Sequence, residues 1–286
     1  MQMLWALITA VCLYLAAGIT PLQAGTRAET ASKNSGQQVS PDHGSSYDNE
    51  AEKQLLEKAN RDRARAGLSP LKMDDGLSRA ARVHAAEMAA QGQLSHQFRD
   101  EAALIQRLAA NSTLHLERAG ENVAVAPTAD DAHRALMSSP PHRDNLLNRD
   151  FNVAGFGVAR KGARIYVAQD FGTSLARYSV KQAEELVAAG VEQLRAQSNM
   201  PRLEQVSNRR IESSACAMAQ ADSLNATRPP PGAYMLRYTS MTPQSLPPDI
   251  SKVIALRGLR TYSAGICYAR TEKYPNGAYW VVMVFY

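Results

Sequence analysis

Apolar residues in this chain recur with a helical period up to about residue 147 and with a strand-like period from residue 153, and the same switch then happens again. Leu55, Leu56 and Ala59 mark one face of a first helix, which Gly67 ends. Asp74 or Asp75 is placed to cap a second helix. There Leu77, Ala80, Ala81, His84, Ala85 and Met88 fall at i, i+3, i+4, i+7, i+8 and i+11, an apolar helix face stopped by Gly92. A shorter helix holds Leu104, Ile105 and Leu108. Thr128 with Asp131 three residues on has the form of a capping box opening a helix through Ala132, Ala135 and Leu136. Pro140-Pro141 closes that helix, and Pro141 can open one further turn carrying His142 to Leu147. Val153 to Val158 and Ile165 to Phe171 then read as strands around a turn at Arg160 to Ala163. Helices followed by an antiparallel pair predict an α+β architecture.

The second half repeats that order. Ser179 caps a helix carrying Leu186, Val187 and Leu194. Asn199-Met-Pro-Arg-Leu203 compares with Gly67-Leu-Ser-Pro-Leu71. A helix around Ile211, Ala215, Met218 and Ala219 stands where Leu77 to Met88 stood. Ala264 to Arg270 parallels Ala154 to Arg160, and Tyr279 to Phe285 parallels Ile165 to Phe171. Matches in the same order at nearly the same spacing favour an internal repeat over an unrelated α+β domain.

The first 24 residues carry no charge, and Met3 to Ile19 is almost wholly apolar. Ala24 suits signal-peptidase cleavage before Gly25, with a retained anchor as the alternative. Gly25 to Asn49 is polar and poor in large apolar residues, the composition of a disordered linker. The expected organisation is a signal peptide over 1–24, a linker over 25–49, a first domain over 50–175 and a second unit over 178–286. With 45% apolar and 21% charged residues in 286, both units can bury a core. The net charge of +5 is spread along the chain, which argues against a nucleic-acid partner. Beyond the leader the cysteines are Cys216 and Cys267, either a disulfide of an exported protein or two buried thiols.

His96, Glu121 and His142 each lie beside an ordering device: the Gly92 helix stop, the Gly120-Glu-Asn-Val123 segment, and a proline pair. Two imidazoles and a carboxylate can hold a divalent metal such as zinc, or polarise a water. His84, on the apolar helix face, reads as a core histidine. Arg143 and Asn145 read as residues that hold the Glu121 and His142 loops, with Asn122 beside them. Ser138 and Ser139 read as helix-end residues, and His43, His115 and His133 as exposed. Gly155-Phe-Gly157 lacks the third glycine of a nucleotide loop and sits in a strand. The second half contains no histidine.

Asn60-Arg-x-x-Arg-x-x-Gly67-Leu-x-Pro-Leu71, Leu77-x-x-Ala80-Ala81-x-x-His84-Ala85 and Leu94-Ser-His96 resemble the opening of bacterial domains of the CAP superfamily, the cysteine-rich secretory, antigen 5 and pathogenesis-related proteins. Gly120-Glu-Asn-Val-Ala124, Ser139-Pro-Pro-His-Arg-Asp-Asn-Leu-Leu147 and Tyr166-Val-Ala-Gln-Asp-Phe-Gly172 resemble the remainder. The resemblance implies an α-β-α sandwich whose cleft carries two His and two Glu, able in some members to bind a divalent metal. His96, Glu121 and His142 match three of those positions; the fourth falls near Ser139, which is no carboxylate. Because the CAP sandwich packs together the elements expected to carry Cys216 and Cys267, the resemblance also implies their disulfide. Three functions follow as expectations: a secreted module binding an extracellular or envelope ligand, a metal-dependent hydrolase or protease, and a non-catalytic scaffold.

Overall fold

The computed structural model describes residues 47–226 and 230–286. The expected signal peptide and nearly all of the expected linker lie outside the described residues. The linker ends earlier than expected, because Tyr47 already forms an antiparallel bridge to Ala159 and Asp48 caps the first helix. No helix among the described residues is long and apolar enough to cross a membrane.

The first half runs α1 (Asn49–Arg65), β1 (Lys72–Met73), α2 (Asp75–Gln91), α3 (Leu104–Asn111), β2 (His115–Ala126), α4 (Ala129–Ser138), α5 (Pro140–Leu146), β3 (Val153–Lys161) and β4 (Arg164–Leu175). Local chemistry sets the boundaries. The Asp74 carboxylate accepts from the Leu77 amide at the start of α2, and Gly92 ends it at φ +69. Thr128 caps α4 by accepting from the Asp131 amide. The strands form one sheet in the order β1-β3-β4-β2, so β2 is an edge strand.

Strand alternation sends the sheet's side chains to two cores. Phe156, Val158, Ile165, Val167 and Phe171 pack with Leu55 and Ala59 of α1 and with Ala132 and Leu136 of α4. Tyr166, Ala168 and Val123 face Ala81, Ala85 and Met88 of α2. Helices thus cover both faces, and the architecture is the α+β sandwich expected. Gly155 and Gly157 let α2 approach: an added Cβ would lie 2.1 Å from the Leu77 carbonyl carbon and 2.2 Å from that of Ala81.

Arg63 locks this half. The buried guanidinium donates to the carbonyls of Ser69, Leu146, Asn148 and Phe151, at 2.8 to 3.0 Å, so α1 holds the segment joining α5 to β3.

The second half runs α6 (Val180–Gln197), β5 (Glu204–Gln205), α7 (Arg209–Gln220), β6 (Tyr234–Ser240), α8 (Ile250–Ile254), β7 (Thr261–Ala269) and β8 (Ala278–Phe285), with a short 3-10 turn at Leu224–Ala226. Its strand order, β5-β7-β8-β6, reproduces that of the first sheet, including one parallel outer pair followed by two antiparallel pairs. Arg195 plays the part of Arg63, donating to Pro201, Ile254 and Leu256. Gly265 lies against Ile211 of α7 as Gly155 lies against Leu77 of α2. The ladders move the expected correspondence of the last strand by two residues: Phe171 pairs with Ala154, and Met283, not Phe285, pairs with Ala264.

Two residues beyond Gly265, at the place of Gly157, stands Cys267, bonded to Cys216 of α7 with a Cα–Cα distance of 5.1 Å. The two cysteines are 51 residues apart, and a loop of that size contributes about 4 kcal/mol by restricting the unfolded chain. Cys216→Ser is therefore expected to lower the denaturant midpoint, and reducing agent should lower that of the wild type alone. Equal midpoints with and without reductant would show that the bond contributes nothing.

Three expectations are corrected. Residues 115–126, read without a strand, form the twelve-residue β2, so Glu121 and Asn122 sit on a strand rather than a loop. His115 is buried, its Nε2 2.6 Å from the Met241 carbonyl and its ring edge-on to Tyr268 and Tyr279. His133 is also buried, paired at 2.8 Å with Asp62 of α1. In both cases an aromatic or acidic partner distant in sequence supplies the burial.

Candidate functional site

The edge strand β2 presents adjacent residues to opposite faces of the sheet. Glu121 points to the α2/α3 side, where it meets Arg107. Asn122 points to the α5 side, where its amide donates to the His142 carbonyl at 3.0 Å. His96 arrives on the loop after α2 and His142 on α5. The two imidazoles come from different layers and meet beside β2 with ring centroids 6.5 Å apart and planes 21° from parallel.

Each ring is held through Nδ1. His96 Nδ1 is 2.9 Å from Glu121 Oε1, and His142 Nδ1 is 2.8 Å from Ser139 Oγ. Ser139 is thus a ring partner as well as the residue preceding α5. Asn145 donates to the Glu121 carbonyl at 3.2 Å and to Asn122 Oδ1 at 3.0 Å, tying α5 to β2 as expected. Arg143 does not share that role: its side chain is exposed and makes none of these bonds.

Behind His96 runs a buried chain of charges absent from the expected site. Arg107 of α3 bridges two carboxylates, with Nη1 2.8 Å from Glu101 Oε1 and Nη2 bonded to Glu121 Oε2. Its Nη1 also donates to the His96 carbonyl at 3.3 Å. His84 is a core histidine, as expected, and it also acts as a clasp. Its ring nitrogens contact Glu101 Oε1 at 2.7 Å and the Ser95 carbonyl at 2.8 Å, pinning both ends of the loop that carries His96. Arg107 was detectable as a charge at i+3 from Leu104, beside the buried helix face, where water-seeking residues are uncommon.

Burial first, and the neighbouring His96 second, hold the His142 imidazole below the ordinary histidine range. Neutral imidazole is the ligand form. Among the described residues no group of three or more His, Cys, Asp or Glu could hold a metal, so two imidazoles are the most that this site offers: Nδ1 of each is engaged and neither Nε2 has a protein partner. The Glu121–His96 contact is the carboxylate–histidine arrangement that orients metal-bound imidazoles. When bound, such an ion supplies a charged, water-completed coordination site. Glu121, shared between Arg107 and His96, serves there as an orienting group.

Comparison with known proteins finds relatives of the first half. Residues 56–171 match the family model described as CAP, cysteine-rich secretory protein family. The Bacillus subtilis (strain 168) protein YkwD is 31% identical over 135 residues, 47% of this chain and 51% of that protein. The membrane protein YlbC of the same organism is 32% identical over 125 residues, 42% of this chain and 34% of that protein. The chain therefore spans about half the length of the first relative and a third of the second. Among solved structures, an extracellular protein containing an SCP domain from Bacillus anthracis str. Ames is 26% identical with a TM-score of 0.41, covering 49% of this chain and 45% of that one.

Proposed function

We propose that the chain, whose residues 56–171 match the family model of the cysteine-rich secretory proteins, is an exported binding module. Its cleft beside β2 takes an extracellular or envelope ligand through a divalent metal held by His96 and His142. The observation that carries this reading is the facing pair of imidazoles, with Glu121 behind one ring and Ser139 behind the other. Ser139 stands where the resembled family has a second carboxylate, which favours binding over acid–base hydrolysis. The second half is a decayed copy of the same unit. It keeps the strand order and the buried arginine and carries no histidine, so the metal site belongs to the first half alone.

Calorimetry with zinc on the purified protein, the H96A variant and the H142A variant tests the site. Wild type is expected to bind one zinc at neutral pH and each variant to lose it. Affinity should fall as the pH is lowered, because a protonated imidazole cannot ligate the metal and His142, held below the ordinary histidine range, loses its ligand form only on further acidification. No uptake by wild type, or equal uptake by both variants, would make the histidine pair structural.

A further inference from the structure

Asp170 of β4 is fully buried, and neither of its carboxyl oxygens has a hydrogen-bond donor within reach among the described residues. It pairs across the ladder with Glu121 on one side and with Gly155 on the other. The charged groups that face it are Glu121, Arg107 and Glu101. Arg107 is already committed to the two glutamates and the His96 carbonyl. An ionised carboxylate placed here would have lost its water with no donor in exchange, beside a second negative charge. A neutral acid has one O–H and needs one acceptor. Glu121, its direct partner across the β2–β4 ladder, is the acceptor on that face.

We infer that Asp170 is an uncharged acid that donates its single O–H to the Glu121 carboxylate and is thereby a positioning residue for the Glu121–His96 pair. Glu121 is then gripped by Arg107 and Asp170 from the interior, and it presents its remaining capacity to His96 Nδ1–H at the cleft. That fixes the ring with Nε2 as its unprotonated nitrogen. Burial first, and the adjacent Glu121 second, push the Asp170 acid far above the ordinary carboxyl range, which agrees with this geometry. The second sheet supports the pairing. Opposite Gly265 stands Val282 in place of Asp170, and opposite Val282 stands Arg237 in place of Glu121. Where one carboxyl group is absent, so is the other. The second carboxyl group of the site lies behind Glu121, inside the sandwich, instead of facing it across the cleft.

The inference rests on the proposed cleft only in that His96 is the group being positioned, and its test needs no metal. Infrared spectra at pH 7 should contain a C=O stretching band of a protonated carboxyl group, lost in D170N. Nitrogen-15 NMR should show the His96 ring protonated on Nδ1 in wild type and in D170N, whose amide also donates to Glu121. In D170L, which has no donor, that signal should be lost. A wild-type spectrum with no protonated carboxyl band, or a band unchanged in D170N, overturns the inference. Loss of the Nδ1–H signal in D170N overturns the donor role. If D170L does not fold, the D170N spectra decide alone, since asparagine fills the same volume. A wild type with the band but without zinc uptake would sink the metal reading and leave this one standing.

Discussion

Replacing Arg63 with alanine is expected to cost about 3–5 kcal/mol of unfolding free energy, the largest single effect in the first half. The guanidinium is buried and donates to four backbone carbonyls on two segments. Truncation leaves those carbonyls without a donor and opens a gap between α1 and the α5–β3 connection. In a chain of this size the melting temperature should drop on the order of 10 °C. Arg63→Lys should recover less than half of the loss, because one ammonium cannot reach carbonyls spread around a planar fork. Urea denaturation followed by circular dichroism measures both variants. A cost under about 1 kcal/mol for the alanine variant would mean that solvent reaches those carbonyls as soon as the arginine is gone.

The second large effect is expected at Arg107. Arg107→Ala strands Glu121 and Glu101, whose side chains are 4% and 14% exposed, without the cation they share. Breaking a buried pair from one side costs about 3–5 kcal/mol. Here the cost has a local outlet. The loop from Ser95 to Glu101 is held chiefly by polar contacts to His84, Arg107 and Glu121, with Phe98 against the α2 side, so it should open before the sandwich does. Amide exchange is expected to rise over residues 95–103 while the sheet stays protected, and zinc uptake through His96 should vanish with it. Uniform loss of protection along both halves would contradict this, because it would mean that the charge chain supports the whole core and not the loop.

How far the sequence specified this arrangement depended on how local each signal was. Asp74, Gly92 and Thr128 act within one turn of themselves, and the structure puts each at its expected helix end. The β3–β4 hairpin was equally plain, its alternating residues joined by a turn at Gly162 with φ +58. Strand β2 was missed because its polar residues build the site: Glu121 and Asn122 occupy neighbouring positions on opposite faces, so the apolar alternation that marks a half-buried strand is broken where it matters. His96, Glu121 and His142 were found through likeness to a family, since no spacing in the chain brings them together. Arg107 and Asp170 were overlooked because their partners lie 14 and 49 positions away from them along the chain at Glu121, a relation visible only once α3 and β4 are in place. His115 and His133 looked exposed for a similar reason: neither sits in an apolar stretch long enough to announce burial.

The contacts between the halves carry a consequence for the order of assembly. Arg270 donates to the carbonyls of Ala109, Ser112 and Leu114 at 2.9 to 3.0 Å, over the end of α3, and His115 at the foot of β2 reaches Met241 and Asn276. Every strand of the first sheet precedes the second sheet in the chain, so the first can close while the residues that will cover it are still emerging from a ribosome or a translocation channel. For that interval the end of α3 and the start of β2 are bare, with unpaired carbonyls and an uncovered imidazole. Docking of the second half ends the exposure, so a delay in its folding lengthens the window in which a nascent first half can be bound by a chaperone or cut by a protease.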